Sequence, residues 1–342
     1  MIKILSRFFR NFNYPSYFIF FVTSQCNANC KMCFYTQNME ANRAQDELTL
    51  DEYRKIAKQI PYINILGISG GEPFLRKDLK DVVCTLYDEC RPLVIDLPTN
   101  GYFTERIVTA VEAIAAHCQK TKIDIQISID GPCAVHNDIR GLDDGFERLT
   151  ETYKALIPLK KKYRNLRLKG CVVYSAFNQD YISELFDVLD RDFKDFDRIV
   201  FSVAHGTVDD EQAMEFDWER YFEHCEILRR MAVVDNPFDF YSIFTIALRI
   251  AKNDLLERIL IEKDMFSFCK AGKKVIVVGE TGNVFPCEPL WEKLGNLRDF
   301  DYNVGRFLKS DELKAFTKKI KAKECTCHWG LPMSNTLIFS PQ

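Results

Sequence analysis

Short apolar segments alternate with longer amphipathic segments from residue 17 to about residue 205. The apolar segments are rich in β-branched and aromatic residues, which is typical of buried strands. They lie at 17–23, 63–68, 93–97, 123–129, 168–174 and 198–203. The amphipathic segments predict helices at 50–59, 77–90, 104–118, 145–159 and 180–193. This alternation indicates an α/β fold in which helices cover a parallel sheet.

The number of strand–helix units predicts an incomplete barrel over residues 17–208. Closed barrels of eight units usually take about 250 residues, whereas six units are visible here. Ligands of such sheets bind at the carboxyl ends of the strands. Residues 209–265 predict a helical connection. Residues 266–342 predict a small domain with a hairpin, turning at 279–282, and a charged helix at 311–323.

The first sixteen residues form a basic, amphipathic segment at 1–16, with Lys3, Arg7 and Arg10 and no acidic residue. This segment lacks the long apolar stretch and the cleavage site of a signal peptide. We expect an edge helix packed on the domain, and the alternative is weak contact with a membrane surface. No segment approaches the roughly 18 consecutive apolar residues of a transmembrane helix.

Composition narrows the function classes. The 342 residues are 47% hydrophobic, and 46 Lys plus Arg against 49 Asp plus Glu leave a net charge of −3. This composition excludes disorder, and the balanced charge predicts no nucleic-acid partner. Thirteen cysteines are an odd number in a large chain that begins without a secretory signal. They predict reduced thiols in the cytoplasm, with metal binding as their default use.

Three closely spaced cysteines directly follow the first predicted strand. Cys26, Cys30 and Cys33 form a C-x3-C-x2-C pattern, which brings three thiolates to one side of a tight loop. Clusters are normally held by four cysteines, so three of them leave one iron of a four-iron cluster open to an outside ligand. The alternatives are a zinc loop with a distant fourth ligand and three ordinary buried thiols.

Three further motifs follow the next predicted strands in order. They are Gly-Gly-Glu-Pro at 70–73, Thr-Asn-Gly at 99–101 and Ser-Ile-Asp-Gly-Pro at 128–132, the last extended by His-Asn-Asp-Ile-Arg-Gly at 136–141. Together with the cysteine loop they resemble the radical S-adenosylmethionine (radical SAM) superfamily. The extension resembles the branch that contains sulfatase maturases and peptide-modifying enzymes. The resemblance covers the whole chain.

The resemblance implies a [4Fe-4S] cluster on Cys26, Cys30 and Cys33, whose open iron is chelated by SAM. One electron cleaves the sulfonium and releases a 5′-deoxyadenosyl radical, which abstracts hydrogen from a substrate. A one-electron reductant such as flavodoxin or ferredoxin is the implied partner. The radical chemistry belongs to the cofactor, and the protein supplies position and exclusion of water.

Several motif residues are implied contacts of SAM. Gly70 and Gly71 would let the backbone approach the ligand, because no Cβ stands in the way. Glu72 would accept a hydrogen bond from the SAM ammonium group. Arg140 would pair with its carboxylate, with Ser128 as a neutral donor beside it. The alternative is that Gly-Gly-Glu-Pro is merely a turn and Arg140 a solvated charge.

Other motif residues are assigned to the nucleoside part of SAM. Asn100 and Asp130 are candidate ribose contacts. Met32 stands where many relatives place an aromatic residue against the adenine, and its adaptable side chain preserves that packing. His136 and His205 lie near predicted strand ends, where we expect structural roles.

A second group of cysteines lies in the C-terminal region. Cys269 and Cys287 flank the predicted hairpin, and Cys325 and Cys327 follow near the end. Four thiolates suit a fully ligated cluster or a zinc ion. The segment resembles the auxiliary-cluster domain of radical SAM enzymes, in the single-cluster (twitch) rather than the seven-cysteine (SPASM) version. The spacing of the last pair is tighter than usual, so His328 is a substitute ligand, and unligated thiols are the remaining alternative.

Two residues are candidates for catalysis. Glu288 directly follows a proposed cluster ligand, where sulfatase-maturing relatives place an acidic residue that removes a proton; the alternative is a solvated or capping carboxylate. Cys133 follows the fourth predicted strand and would donate hydrogen to a substrate radical, although we favour an ordinary loop residue.

The sequence therefore predicts a radical SAM enzyme that modifies a small metabolite or a peptide. Only sixteen residues precede the first strand, which slightly favours a small or partner-delivered substrate. The alternative from another class is a non-catalytic two-cluster electron carrier or sensor. Such a protein would not need the motifs at 70–73 and 128–140.

Overall fold

The structure is a computed structural model. It describes residues 14–41, 46–231, 240–262, 269–322 and 328–339. Residues 1–13 of the predicted edge helix at 1–16 therefore lie outside the described residues. The ligand candidates Cys325 and Cys327 lie outside them as well.

One continuous sheet organises the described residues. Its strands in chain order are β1 Tyr17–Phe21, β2 Ile65–Ser69, β3 Val94–Thr99, β4 Lys122–Ser128, β5 Leu166–Tyr174, β6 Arg198–Val203, β7 Val275–Val278, β8 Asn283–Phe285 and β9 Gly295–Asn296. The spatial order is β6-β5-β4-β3-β2-β1-β7-β8-β9. Strands β1 to β6 are parallel, which confirms the predicted partial (βα)6 barrel.

Helices connect and cover these strands. They are α1 Thr36–Ala41, α2 Leu50–Ala57, α3 Leu79–Cys90, α4 Thr104–His117, α5 Cys133–Arg140, α6 Gly145–Lys162, α7 Ile182–Asp192, α8 Trp218–Met231, α9 Phe240–Glu262, α10 Val304–Phe307, α11 Asp311–Lys321 and α12 Gly330–Phe339. No helix within the described ranges is long and apolar enough to cross a membrane.

The predicted C-terminal hairpin extends the barrel sheet. Strand β7 lies parallel to β1, with Val275 beside Tyr17, and β8 runs antiparallel to β7. All four residues of β7 are buried. The hairpin therefore shares the sheet of the barrel, while the domain limits at 208 and 266 stay predictions.

Glu52 ties helix α2 to the C-terminal region. Thr49 and Glu52 form a capping box at the start of the helix. The Glu52 carboxylate also accepts hydrogen bonds from Arg298 Nε at 2.7 Å and Tyr302 OH at 2.9 Å. Burial alone would raise the pKa of Glu52, but the bonds from Arg298, Thr49 and Tyr302 lower it to about 2.

Candidate active site

The cysteine loop follows β1 directly and presents three hydrogen-bonded sulfurs. Cys30 is buried, and Cys26 and Cys33 are half-buried. Each sulfur accepts one N–H: Cys26 from Ala28 N at 3.4 Å, Cys33 from Tyr35 N at 3.4 Å and Cys30 from Arg140 Nη1 at 3.6 Å. Such bonds stabilise negative charge on sulfur, as a thiolate ligand requires.

The three thiols are close neighbours in a poorly solvated place. Burial raises the pKa of Cys26 to about 12; the Ala28 N–H opposes this rise, and the charges of Cys30 and Cys33 add to it. Burial also raises the pKa of Cys30, and the Arg140 guanidinium opposes that rise. Cys26 and Cys30 therefore hold their protons until a metal centre displaces them.

The three cysteines supply thiolate donors, which suit either a [4Fe-4S] cluster or a zinc ion. In a [4Fe-4S] cluster each thiolate binds its own iron. Among the described residues, no three His, Cys, Asp or Glu side chains converge as ligands of one metal ion.

The glycines after β2 press against the cysteine loop. Gly70 has φ +151°, and a Cβ there would lie 2.5 Å from Thr23 O. A Cβ on Gly71 would lie 2.3 Å from Gln25 O. Gly71 N donates to Thr23 O at 2.9 Å, and Glu72 N to Gln25 O at 2.8 Å. The close approach that requires glycine is therefore an approach to the chain itself, while contact with a ligand stays a prediction.

Glu72 joins this motif to the end of β3. Its buried carboxylate accepts hydrogen bonds from Thr99 Oγ1 at 3.0 Å, Phe74 N at 3.2 Å and Asn100 N at 2.8 Å. Burial raises the pKa of Glu72 to about 7, against the effect of these bonds. Asn100 Nδ2 donates to Asn27 Oδ1 at 2.8 Å in the cysteine loop. Asn27 Nδ2 is a buried donor with no hydrogen-bond partner within the described residues, so it could donate to a bound group.

The end of α5 holds the other side of the cysteine loop. Asn29 N donates to Arg140 O at 3.0 Å, and Lys31 N donates to Ile139 O at 3.0 Å. Gly141 has φ +61°, and a Cβ there would lie 2.9 Å from Asn29 O. The helix can therefore end against the loop only with glycine at this position.

Arg140 is anchored inside the site. Its Nε donates to Asp130 Oδ2 at 2.7 Å, and its Nη1 reaches Cys30 Sγ. Asp130 is buried; its Oδ1 accepts Val173 N at 2.8 Å, and its own N–H donates to His136 Nδ1 at 3.2 Å. Arg140 is thus no solvated charge, and His136 is a buried side chain that holds the backbone of Asp130. The SAM contacts of Arg140 and Asp130 stay predictions.

The remaining predicted SAM contacts lie around the same end of the barrel. Met32 is buried within the cysteine loop. Ser128 is the last residue of β4 and pairs in register with Cys171 of β5. Cys133 is exposed and donates to Glu147 Oε1 at 3.3 Å on α6, which gives no support to a catalytic role.

Glu288 lies beside the cysteine loop, although it is distant in sequence. Its side chain is 13% exposed, and its Oε2 lies 3.7 Å from His205 Nε2. The His205 ring packs 4.9 Å from the Phe34 ring, and Phe34 follows Cys33 directly. These two mostly buried polar groups therefore lie next to the residue that follows the first cysteine group.

Cys269 and Cys287 are brought to one end of the hairpin. Gly272 N donates to Pro286 O at 3.1 Å, so the segments carrying the two cysteines run side by side. Cys287 is buried and Cys269 half-buried. The substitute ligand His328 directs its Nε2 to a backbone oxygen, Ala204 O, at 3.0 Å. Burial lowers the pKa of His328.

A charged cluster inside the barrel was not predicted from the sequence. Lys169 Nζ pairs with Asp124 Oδ2 and lies 3.6 Å from Asp96 Oδ1. Arg167 Nη2 donates to Asp124 Oδ2 at 2.9 Å, and Tyr17 OH donates to Asp96 Oδ2 at 3.3 Å. The signal was present, since charged residues alternate with isoleucine and leucine in these strands. Alternation indicates two different faces, and here the charged one points into the barrel.

These features define the class of protein. Residues 20–189 match the family model of the radical SAM superfamily. That range contains the cysteine loop and the glycine, asparagine and arginine motifs that surround it. The chain therefore belongs to the radical SAM superfamily, whose members are enzymes that use SAM and a [4Fe-4S] cluster.

The chain is similar to particular members as well. A protein named AdoMet-dependent heme synthase, from Methanosarcina barkeri (strain Fusaro / DSM 804), is 28% identical over 299 residues, which are 84% of this chain and 80% of that protein. GTP 3',8-cyclase from Helicobacter pylori (strain J99) is 26% identical over 174 residues, 48% of this chain and 49% of its own length. The chain thus spans about half of the cyclase.

Solved structures share the fold. Streptococcus suis SuiB bound to precursor peptide SuiA has a TM-score of 0.62 at 15% identity, covering 94% of this chain and 70% of that one. A protein named anSMEcpe with bound AdoMet has a TM-score of 0.61 at 20% identity, covering 91% of this chain and 83% of that one. At these identities the likeness concerns the fold, which extends into the C-terminal region.

Proposed function

We propose that this enzyme cleaves SAM reductively at a cluster held by Cys26, Cys30 and Cys33, and directs the resulting radical at a substrate inside the barrel. The observation that carries this proposal is the set of hydrogen bonds that joins three strand-end segments to one loop. Gly71 contacts the loop at Thr23, and Arg140 contacts it at Cys30. Loops held this rigidly are what a site needs to position a reactive group.

The residues around the loop have distinct proposed roles. Arg140 holds positive charge beside Cys30, which favours an anionic cluster. Asp130 fixes that guanidinium, and His136 fixes Asp130. The proposed SAM contacts are those that the sequence motifs imply: Met32, Gly70, Gly71, Glu72, Asn100, Ser128, Asp130 and Arg140. The bound cofactor supplies the radical, while these side chains bind it, orient it and exclude water.

The barrel interior is the proposed substrate site. Glu288 and the charged side chains around Lys169 would supply polar contacts there. Similarity to a protein named heme synthase over most of the chain supports a small-molecule substrate. The peptide named in the SuiB complex belongs to a fold relative, so a peptide remains the second candidate.

An auxiliary [4Fe-4S] cluster in the region 266–342 is the finer part of the proposal. Cys269, Cys287, Cys325 and Cys327 are its proposed ligands. Support comes from the hairpin, which brings the first two cysteines to one end. Glu288 beside Cys287 is the proposed base, and a flavodoxin or ferredoxin in a reducing cytoplasm is the proposed electron source. These assignments follow the chemistry of the thiolate donors.

Anaerobic turnover tests the function directly. The reconstituted, reduced chain should convert SAM to 5′-deoxyadenosine, measured by chromatography. Cys30→Ala should abolish this conversion, because Cys30 is a proposed ligand. Cys90→Ala is the matched control, since Cys90 is also buried but contacts Ala57 O, at the end of α2.

Two outcomes would contradict the proposal. Cys30→Ala that forms 5′-deoxyadenosine at the parent rate would show that the first ligand set is wrong. A parent chain that holds iron and sulfide but never cleaves SAM would indicate the electron carrier.

Cys287→Ala tests the auxiliary cluster. It should keep SAM cleavage, lose product and hold roughly half the parent's iron, as expected when one of two [4Fe-4S] clusters is lost.

A further inference from the structure

Tyr35 links the cysteine loop to the C-terminal hairpin through two different atoms. Its backbone N–H donates to Cys33 Sγ at 3.4 Å, and its hydroxyl donates to Glu280 Oε2. Glu280 lies in the turn between β7 and β8, 245 residues away in the chain. Tyr35 and Glu280 are each only 2% exposed.

Burial of this pair requires an explanation. A carboxylate out of contact with water is costly unless hydrogen bonds compensate it, and the Tyr35 hydroxyl supplies one. The backbone of Glu280 is also held in place, because Leu48 N donates to Glu280 O at 2.7 Å. The carboxylate therefore has a fixed position from which to hold the tyrosine.

The Tyr35 ring is also held from the side. It packs 4.7 Å from the Phe21 ring and 5.4 Å from the Trp291 ring, measured between centroids. Because the ring and the hydroxyl are both fixed, the backbone of Tyr35 has little freedom to turn. Its N–H is thereby aimed at the sulfur of Cys33.

We propose that Glu280 is a positioning residue for the first cluster, acting through Tyr35 on the sulfur of Cys33. This inference rests on the proposed function, because it assigns Cys33 as a cluster ligand. N–H bonds to sulfur and nearby charge both set the reduction potential of a cluster. The C-terminal hairpin thus tunes the centre that must deliver an electron to SAM.

The test uses the reconstituted full chain and reads the first cluster spectroscopically. The reduced first cluster gives an electron paramagnetic resonance signal. This signal is recognised because it changes when SAM is added. Tyr35→Phe should alter this signal and lower the midpoint potential, because a weakened N–H bond stabilises the reduced cluster less. Glu280→Leu should alter the signal in the same way.

Conservative variants separate positioning from simple damage to the fold. Glu280→Gln should keep the parent signal, because its amide oxygen still accepts the Tyr35 hydroxyl. Tyr53→Phe is the matched control: Tyr53 is fully buried, and its hydroxyl has no hydrogen-bond partner within the described part of the chain. It should leave both the signal and the potential unchanged.

The outcomes are distinguishable. A parent-like signal and potential in Tyr35→Phe would overturn the positioning role while leaving the proposed function intact. A signal as altered in Glu280→Gln as in Glu280→Leu would also overturn it, because hydrogen bonding would then not be the cause. A parent chain that assembles no SAM-sensitive cluster would refute the proposed function, and the positioning role with it.

Discussion

Glu72 should make the stability of the chain depend on pH. Its carboxyl is buried, and burial raises its pKa from 4.5 to about 7. The folded chain therefore binds this proton more tightly than the unfolded chain does. The contribution of Glu72 to the free energy of unfolding is highest below pH 4.5 and is lost as the pH rises through about 7, because ionisation then occurs in a poorly solvated place. Each pKa unit is worth about 1.4 kcal/mol, so the complete penalty is about 3 kcal/mol.

Glu72→Gln removes this ionisation and should remove the part of the pH dependence that Glu72 causes. The amide oxygen can still accept Asn100 N, while the bond from Phe74 N is lost at a cost of about 1–3 kcal/mol. This cost is independent of pH. The stability of the variant relative to the parent should therefore rise by about 2–3 kcal/mol between pH 5 and pH 8.

Urea unfolding of the iron-free chain, followed by circular dichroism under anaerobic reducing conditions, measures this difference. The exposed Glu105→Gln on α4 is the matched control for the loss of a carboxylate outside the buried site. A difference between Glu72→Gln and the parent that stays constant across the pH range would refute the reasoning. It would mean that hydrogen bonds, rather than burial, determine the protonation of Glu72.

Three further predictions follow from the contacts of the site. Gly71→Ala should prevent cluster assembly, measured by iron content, because its Cβ would lie 2.3 Å from Gln25 O; Gly305→Ala, with its nearest neighbour at 3.3 Å, should assemble normally. Lys169→Met should destabilise the chain by about 3–5 kcal/mol in urea unfolding, because it removes a positive charge that pairs with Asp124 and Asp96. The double variant Lys169→Met with Asp124→Asn should recover part of this loss, because one of the unpaired carboxylates is then removed. Glu288→Gln should keep 5′-deoxyadenosine formation and lose product by mass spectrometry; full product yield would exclude it as the base.

The arrangement of strands and helices was predictable because periodicity reports burial directly. All six parallel strands and the hairpin lie where the apolar segments indicate. The motifs were predictable as well, since each follows a strand whose carboxyl end meets the others. The pairing of β7 with β1 was not, because four consecutive buried valines and isoleucines carry no information about their neighbour.

The contacts of individual site residues were harder to predict. The glycines at 70 and 71 indicated a close approach, but only the structure identifies the approaching group as Thr23 and Gln25. Arg140 turns inward to Asp130 and Cys30, a contact that depends on how α5 ends. The spacing of residues along the sequence does not show which groups the two glycines approach, nor which groups Arg140 contacts.

The connections of the cysteine loop suggest why the C-terminal region belongs to the same sheet as the barrel. The loop is held by the β2 and α5 ends through local motifs, and by the hairpin through Tyr35 and Glu280. If the hairpin belonged to a sheet of its own, the contact between Tyr35 and Glu280 would depend on how firmly the two sheets packed together. Parallel pairing of β7 with β1 fixes the hairpin in the register of the strand that leads into the loop. The position of Glu280 is thereby determined by the same backbone hydrogen bonds that determine where the loop begins.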